Sequence, residues 1–298
     1  MYLYSYQVAD VVVRTESDVP LSTFWRSMFD HFPVRHDAQP DICYRFQSID
    51  PATLTLPPLD PDNQNRLLRC RHSFLDSNLL RSPLVRERLL VCTDYPNRVY
   101  FELRPDSVNL FDFMRREHIA FFSPHLGELI TGFNIHPSLY AIFLPVFSSL
   151  MLHCCGVLRN NRVALFLAAD GGGKTTVGKL ALSGTILSDD HVMLRNVDGL
   201  VTAFGTPWGL TVSETLTARV GGLFWLEQGD HFELIPLGTP EILRALWNEH
   251  GGYFHVLPDD YKTWAFNFFA ELCSQLPAYR MCFSKDYVDW NAIDAAMK

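Results

Sequence analysis

A glycine-rich stretch in the second half of the chain, AADGGGKTT from Ala168 to Thr176, has the residue types that bind phosphate. In such a turn, consecutive backbone N–H groups point inward at phosphate oxygens, and the start of the following helix adds a partial positive charge. The spacing fits the pattern GxxxxGK[ST] over Ala168 to Thr175, with alanine in place of the first glycine. An alanine is tolerated there if its φ stays negative, because glycine is needed only for a positive φ.

The residue types in the loop each predict a different role in nucleotide binding. Gly171 and Gly173 permit close approach of the backbone to a ligand, and Lys174 can reach the β- and γ-phosphates of a nucleotide. The hydroxyl of Thr175 can ligate Mg²⁺. A chance glycine-rich turn is the alternative, and the strand–loop–helix context disfavours it. The predicted nucleotide-binding residues are Ala168, Asp170, Gly171, Gly172, Gly173, Lys174, Thr175 and Thr176.

Two adjacent acids, Asp189 and Asp190, follow the next strand-like run, TILS. An isolated acid pair is usually a solvated turn, but this one comes directly after a loop–helix–strand unit that would bring it beside the loop. Phosphoryl transfer needs a metal to neutralise phosphate charge and a group that orients or deprotonates the acceptor hydroxyl. Two carboxylates can divide that work, one as the Mg²⁺ ligand and one as the proton acceptor.

The segment MLHCCGVLRNNRVALFLAADGGGKTTVGKLALSGTILSDDHVML resembles the catalytic domain of the HPr serine kinase/phosphorylase family. The family's nucleotide-binding fold is related to phosphoenolpyruvate carboxykinase. Its histidine on the strand before the loop is matched by His153, and its acid pair by Asp189 and Asp190. Further on, FGTPWGL, LFWLEQGDHFELIPL and YRMCFSKDYVDWNAI are similar to compact HPr-kinase-like proteins found beside peptide-modification systems. The resemblance covers roughly residues 150 to 298.

The resemblance implies an ATP- and Mg²⁺-dependent kinase that phosphorylates a serine or threonine hydroxyl of a protein or peptide. Lys174 would stabilise charge on the transferred group, Thr175 and Asp190 would hold Mg²⁺, and Asp189 would be the base, with the roles of the two aspartates interchangeable. His153 would contact phosphate or modulate the base, unless it is a core residue. The glycine-rich stretch that bifunctional HPr kinases carry after the acid pair is not recognisable, and GTPWGL stands there instead. HPr as substrate and the phosphorylase reaction are therefore not implied.

Four further residues near this segment have weaker interpretations. Glu214, shortly after GTPW, could complete the metal site. Trp208 suits packing and substrate contact equally. Cys154 and Cys155 are interpreted as core residues. Family members of this type form rings or dimers, so a homo-oligomer is a further expectation.

The elements that would position these residues form an α/β domain with a mixed sheet. MLHCCGVL and RVALFLAA are predicted strands joined by the turn RNN, and GKTTVGKLALS is a predicted helix closed by Gly184. HVMLRNV and LVTAF flank Asp198-Gly199, a strong signal for a two-residue hairpin. LFWLE and HFELIPL repeat the hairpin pattern. TPEILRALW predicts a helix with a threonine cap and proline in its first turn.

The N-terminal half predicts a mostly antiparallel α+β module. Its strand-like runs VADVVVR, LLVCTDY, RVYFELR and HIAFFS alternate with connectors rich in proline and aspartate, such as PPLDPDNQN. We expect an N-terminal module over 1–125 that binds substrate or a partner, a helical connector over 126–150 and the catalytic domain over 151–298.

Composition indicates a cytoplasmic globular protein. The chain has 298 residues and a net charge of −8, so no general attraction to nucleic acid or anionic lipid is expected. Seven cysteines without a CxxC pair suggest reduced thiols, and no basic region precedes an apolar run at the start. The apolar stretch LYAIFLPVFSSLMLHCCGVL is long enough to span a membrane, but its proline and histidine and the lack of flanking basic clusters favour a buried helix and strand.

Two other functions fit the same residues. One is a non-catalytic nucleotide-binding regulator or scaffold, suggested by the altered loop. The other is a kinase for a small-molecule hydroxyl, because no motif in the sequence identifies the acceptor.

Overall fold

The computed structural model describes residues 1–21, 23–34, 38–48, 90–94, 99–103, 107–112, 115–122, 144–169, 171–181, 184–209, 214–250 and 259–297. The chain divides into two compact units between Phe143 and Leu144. Both units contain α-helices and β-strands, and each has a sheet of mixed strand orientation.

The first unit is built on a seven-stranded sheet of order β1-β2-β3-β7-β6-β5-β4. Four of its neighbouring pairs are antiparallel, whereas β2–β3 and β3–β7 are parallel. Its elements are β1 Tyr2–Val8, β2 Val11–Ser17, α1 Thr23–Asp30, β3 Ile42–Ser48, β4 Leu90–Asp94, β5 Val99–Leu103, β6 Ser107–Asp112 and β7 Glu117–Phe122.

The prediction of one strand over VADVVVR is wrong in its bounds. The run contains a tight turn, with Val8 opposite Val11 and a positive φ of 53° at Ala9. Both flanks are rich in residues that favour strands, so the sequence pattern hides the reversal. Helix α1 packs on this hairpin: Phe29 of α1 stacks on Tyr6 of β1 with ring centroids 4.7 Å apart, and both rings are buried. The connector PPLDPDNQN lies outside the described residues.

The second unit begins with a short 3₁₀ helix, Leu144–Phe147, and carries an eight-stranded sheet. Its further elements are β8 Ser149–Arg159, β9 Arg162–Leu167, α2 Lys174–Leu180, β10 Thr185–Ser188, β11 His191–Val197, β12 Leu200–Gly205, β13 Thr217–Gln228, β14 Glu233–Pro236, α3 Thr239–His250, α4 Asp259–Gln275, β15 Ala278–Phe283 and α5 Trp290–Ala296. The predicted connector over 126–150 lies mostly outside the described residues, and Ser149, inside it, already starts β8.

Three neighbouring strands of this sheet, β9, β13 and β15, run parallel. Their carboxyl ends therefore lie at one edge, the usual position for ligand sites in such sheets. On the other side of β9, β8 pairs with it in antiparallel orientation. The far edge of β8 pairs with both β10 and β11. The interruption between β10 and β11 is the acid pair Asp189–Asp190.

The core of the second unit lies around β9. Its residues from Val163 to Leu167 are fully buried, and they are apolar throughout, as expected of a strand covered on both faces. Phe166 stacks on Phe224 of β13 at 5.4 Å and contacts Trp290 of α5 edge-on at 5.7 Å. Tight packing therefore fixes the strand that leads into the glycine-rich loop.

Two predicted hairpin turns are confirmed. Asn160 and Asn161 between β8 and β9 have φ values of 48° and 61°, and Asp198 and Gly199 between β11 and β12 have 52° and 80°. Two consecutive positive φ values are the signature of the type I′ turn, which asparagine, aspartate and glycine adopt most readily.

Three local predictions differ from the structure. The expected hairpin of LFWLE with HFELIPL is wrong, because β14 pairs with β15 and not with β13. The predicted helix after the loop is shorter, ending at Leu180 with Ala181 as its cap. The hydroxyl of Thr239 donates to the carbonyl of Cys273 and does not cap α3, where the Glu241 carboxylate accepts from the amide of Gly238.

In the part of the chain that the structure describes, no helix is long and apolar enough to cross a membrane. The described end of the apolar stretch forms the partly buried 3₁₀ helix and β8, whereas 123–143 lie outside the described residues.

Candidate functional site

The glycine-rich loop leaves the carboxyl end of β9 and leads into α2. Ala168, in the position of the first glycine, is buried and is absent from the residues with a positive φ. Gly171 and Gly173 do have positive φ values, 76° and 102°. The condition under which alanine is tolerated in this loop is therefore met.

The loop is held against the ends of β13 and β15. The side-chain amide of Gln228, the last residue of β13, donates to the carbonyl oxygen of Gly171 at 3.0 Å. An ideal Cβ on Gly173 would lie 2.6 Å from Cζ of Phe283, the last residue of β15. Glycine is thus needed at 173 for two reasons: its φ is positive, and a side chain would clash with the ring of Phe283.

Lys174, the first residue of α2, folds back across the loop. Its side chain is buried, and Nζ donates to the carbonyl oxygens of Ala168 at 2.8 Å and Ala169 at 3.3 Å. An ammonium has three donors, so these two bonds fix its position and leave a third hydrogen for a ligand. Thr175 and Thr176 follow on α2 and are partly buried. Asp170, also predicted to bind nucleotide, lies outside the described residues.

The acid pair lies in a tight turn organised by Ser188, the last residue of β10. The Ser188 hydroxyl oxygen is fully buried and accepts from the amides of Asp190 at 3.3 Å and His191 at 3.1 Å. On the other side, the carbonyl oxygen of His191 accepts from the buried Thr206 hydroxyl at 2.7 Å. The backbone of the acid pair is therefore fixed at both ends.

The Asp190 carboxylate lies between two histidines. Oδ1 is 3.0 Å from Nε2 of His153 and Oδ2 is 2.8 Å from Nδ1 of His191. The two histidines are directly opposite each other in the β8–β11 register, and their rings stack at 5.0 Å. On its far side, Nδ1 of His153 is 3.8 Å from Oε1 of Glu249 at the end of α3.

These contacts shift the ionisation of all three groups. Burial of Asp190 opposes its charge, but the bonds with both histidines outweigh burial and hold its pKa well below the ordinary value. Burial likewise lowers the pKa of His153, and the carboxylates of Asp190 and Glu249 outweigh it, so the net shift is upward. The pKa of His191 falls, because its complete burial and the nearby charges of His153 and Lys174 exceed the effect of Asp190.

Asp189 lies on the side of the pair that meets α2. Its side chain is 2% exposed, and its Cβ lies 4.0 Å from an ideal Cβ on Gly178 of that helix. Burial raises the pKa of the Cys155 thiol; the charge of Asp189 adds to this rise and that of Lys174 opposes it. The charge of Lys174 also acts on His153 and His191. The structure therefore brings the loop lysine, the acid pair and His153 close together.

Two members of this site are not among the predicted residues. His191 could have been found from its place directly after the acid pair, since the β8–β11 pairing puts it opposite His153. Glu249 has no such signal, because it lies on a helix about a hundred residues away in sequence and reaches the site only through the fold.

The candidates with weaker sequence interpretations lie in different surroundings, one exposed and the others buried. The amide of Glu214 donates to the carbonyl of Leu187 at 2.9 Å, and its side chain is exposed. Trp208 is 1% exposed, and its amide donates to the hydroxyl of Thr206, which favours packing over substrate contact. Cys154 and Cys155 are fully buried core residues.

Among the described residues, no group of three or more histidine, cysteine or acidic side chains could hold a metal ion by itself. Mg²⁺ is usually held by one or two carboxylates together with phosphate oxygens of the substrate and waters, and not by an all-protein cage. A threonine hydroxyl and a carboxylate, the groups that Thr175 and the acid pair carry, are donor types of this kind.

No protein-family model matches the chain, and no curated protein matches it either.

Proposed function

We propose that this protein is a Mg²⁺- and ATP-dependent kinase that transfers the γ-phosphate to a serine or threonine hydroxyl of a protein or peptide. On this proposal the second unit is an HPr-kinase-like domain with a fold related to phosphoenolpyruvate carboxykinase. The observation that carries the proposal is the position of Lys174: its ammonium braces the phosphate-type loop, and the helix that it begins packs against Asp189.

The loop suits a nucleotide phosphate. Apart from its chain neighbours, no residue that the structure describes has an atom within 4 Å of an ideal Cβ on Gly171, so the backbone there is open to a ligand. The Gln228 amide keeps the Gly171 carbonyl directed at the protein, which removes one repulsive oxygen from the anion side of the loop. Lys174 supplies the positive charge, and Gly171 supplies uncovered backbone.

The two aspartates differ in ways that support different roles. Both oxygens of Asp190 already accept hydrogen bonds, so it is poorly placed to take a further proton, although each oxygen keeps a lone pair for a ligand. Asp189 therefore takes the role of base toward the acceptor hydroxyl, and Asp190 with Thr175 would hold the metal. When bound, Mg²⁺ would neutralise charge on the β- and γ-phosphates. His153 orients Asp190 and adds a proton-bearing group near Lys174.

The first test is calorimetric binding of Mg-ATP to the natural chain and to Lys174→Ala. Removing the ammonium deletes a charge-assisted contact worth about 1.5–3 kcal/mol, which corresponds to roughly a tenfold to hundredfold loss of affinity. The exposed Arg244 of α3 provides the control, since Arg244→Gln removes one positive charge without touching the loop.

The second test follows transfer of labelled γ-phosphate to acceptor pools separated into proteins, peptides and metabolites. Asp189→Asn is nearly isosteric and should abolish transfer while Mg-ATP binding persists. Label found only in metabolites would show a small-molecule kinase. Binding without any transfer that depends on Asp189 would leave a nucleotide-binding regulator, and absence of binding in the natural chain would reject a nucleotide site altogether.

A further inference from the structure

A row of three arginines crosses the sheet of the second unit at the end away from the glycine-rich loop. Arg159 of β8 is directly opposite Arg162, the first residue of β9, and Arg162 is in turn opposite Arg219 near the start of β13. Neighbouring strands are about 4.8 Å apart, and like charges placed directly opposite each other destabilise a sheet.

Only one of the three has its charge neutralised within the described residues. Arg159 forms a two-pronged bond with the carboxylate of Asp294, at 2.7 Å for each oxygen, and lies 5.0 Å from the ring centre of Trp290. In the ranges that the structure describes, neither Arg162 nor Arg219 has an ion-pair partner, and both are exposed. The chain as a whole has 33 acidic residues against 25 basic ones, so a shortage of acids does not explain this.

Both arginines line a cleft of about 810 Å³, within the range typical of small-ligand sites. The cleft opens at the amino ends of the parallel strands, beside the β8–β9 and β11–β12 turns and the end of α4. Its walls combine these two cations with polar side chains and an apolar surface. The lining residues are Leu158, Asn161, Arg162, Gly199, Leu200, Val201, Thr217, Ala218, Arg219, Val220, Gln275 and Leu276.

We propose that this cleft binds a small dianion with an apolar body, held by the guanidinium groups of Arg162 and Arg219. Two adjacent guanidinium groups match two negative charges, and their planar donors suit phosphate or carboxylate oxygens. A bound dianion would also relieve the repulsion between the two arginines. The apolar wall of Leu158, Leu200 and Leu276 would take the rest of the ligand. The site is separate from the proposed nucleotide site and does not depend on it.

The test uses phenyl phosphate and phthalate as dianionic probes at pH 8, with benzyl alcohol as the neutral control. Binding is measured by calorimetry in the Lys174→Ala background, so that the glycine-rich loop competes only weakly for the phosphate probe. Arg162→Gln and Arg219→Gln should each weaken binding at least tenfold, Arg219→Lys should have an intermediate effect, and Arg244→Gln should have none. The two probes distinguish a phosphate ester from a dicarboxylate.

A second measurement needs no ligand. Because the two arginines repel each other, Arg219→Gln should raise the melting temperature at low ionic strength, and the gain should shrink in high salt as the charges are screened. Dianion binding that is unchanged by Arg162→Gln and Arg219→Gln, or no binding of either probe, overturns the proposal. Neither outcome bears on the kinase, which is tested by Mg-ATP binding in the chain with Lys174 intact.

Discussion

An ideal Cβ on Gly172 would lie 2.5 Å from the methyl carbon of Ala168. Real Cβ atoms essentially never come so close, so the alanine at the first position of the loop makes glycine necessary at the fifth. The same Cβ would lie 2.9 Å from the carbonyl oxygen of Ala169, a backbone atom that cannot move aside cheaply. Glycine at 172 therefore compensates for the methyl group that alanine places at 168, where the usual loop pattern has glycine.

Gly172→Ala is expected to lower the free energy of unfolding by about 1–3 kcal/mol, the usual cost of overpacking, and to weaken Mg-ATP binding. Combining it with Ala168→Gly removes the methyl–methyl clash and should restore part of the loss. Recovery stays partial because the contact with Ala169 remains. Urea denaturation of both single variants and the double variant measures the coupling. Strictly additive effects would contradict the contact between these residues.

His191 is expected to stabilise the acid pair through its bond to Oδ2 of Asp190. His191→Phe keeps a ring on the face of His153 but removes the donor from a buried carboxylate, at an expected cost of about 1–3 kcal/mol. His191→Asn should recover part of this, because the amide nitrogen of asparagine can occupy nearly the place of Nδ1. Urea denaturation at pH 7 makes the comparison.

The control for His191 is His231, an exposed histidine that also contacts an aspartate, Asp230, at 2.7 Å. Because both groups are in water, His231→Phe should change stability little. Equal effects of the two phenylalanine substitutions would show that burial of the Asp190 site does not strengthen its hydrogen bond.

The thiols of Cys154, Cys155 and Cys273 are expected to resist alkylation in the folded protein. Burial is the main cause that raises their pKa values, to about 12 for Cys273 and well above the ordinary value for Cys154. Less thiolate is then present at pH 8, and the thiolate is the reactive form. Mass spectrometry after iodoacetamide treatment should find the partly exposed Cys282 modified before these three, and all four modified in urea. Rapid labelling of Cys155 without denaturant would contradict its burial.

Much of the site could be predicted from sequence because its parts are local. The loop, the acid pair and both type I′ turns depend on a few consecutive residues whose backbone requirements glycine, asparagine and aspartate reveal. His153 is singled out through the family resemblance and not through a local backbone rule. These short-range rules also predicted a negative φ at Ala168 as the condition for a working loop.

The remaining features depend on pairings between distant segments. The partner of β14 is β15, almost fifty residues later, and no local pattern distinguishes it from β13. Glu249 approaches His153 only because α3 packs near β8. The arginine row likewise arises from the registers of three strands, and each arginine alone looks like an ordinary charged residue at a strand end.

The C-terminal helix α5 is expected to support the helix that carries Lys174. The indole Nε1 of Trp290 donates to the carbonyl of Leu180, the last residue of α2, at 3.0 Å. At the other end of α5, Asp294 holds Arg159 through two short bonds, with only 11% and 18% of the two side chains exposed. Asp294→Ala should therefore lower the free energy of unfolding by about 1.5–3 kcal/mol, as for a charge-assisted bond that is largely shielded from water.

Trp290→Phe keeps most of the ring packing but removes the hydrogen-bond donor to α2. We expect the free energy of unfolding to fall by about 1 kcal/mol. Because the guanidinium of Arg159 lies over the indole ring, the effects of Trp290→Phe and Asp294→Ala should not be additive. Urea denaturation of the two variants and their combination tests this, with the exposed Asp286 as control through Asp286→Ala. If Asp294→Ala costs no more than Asp286→Ala, the bond to Arg159 does not hold α5, and the position of α5 rests on Trp290, through its bond to Leu180 of α2 and its packing against Phe166 of β9.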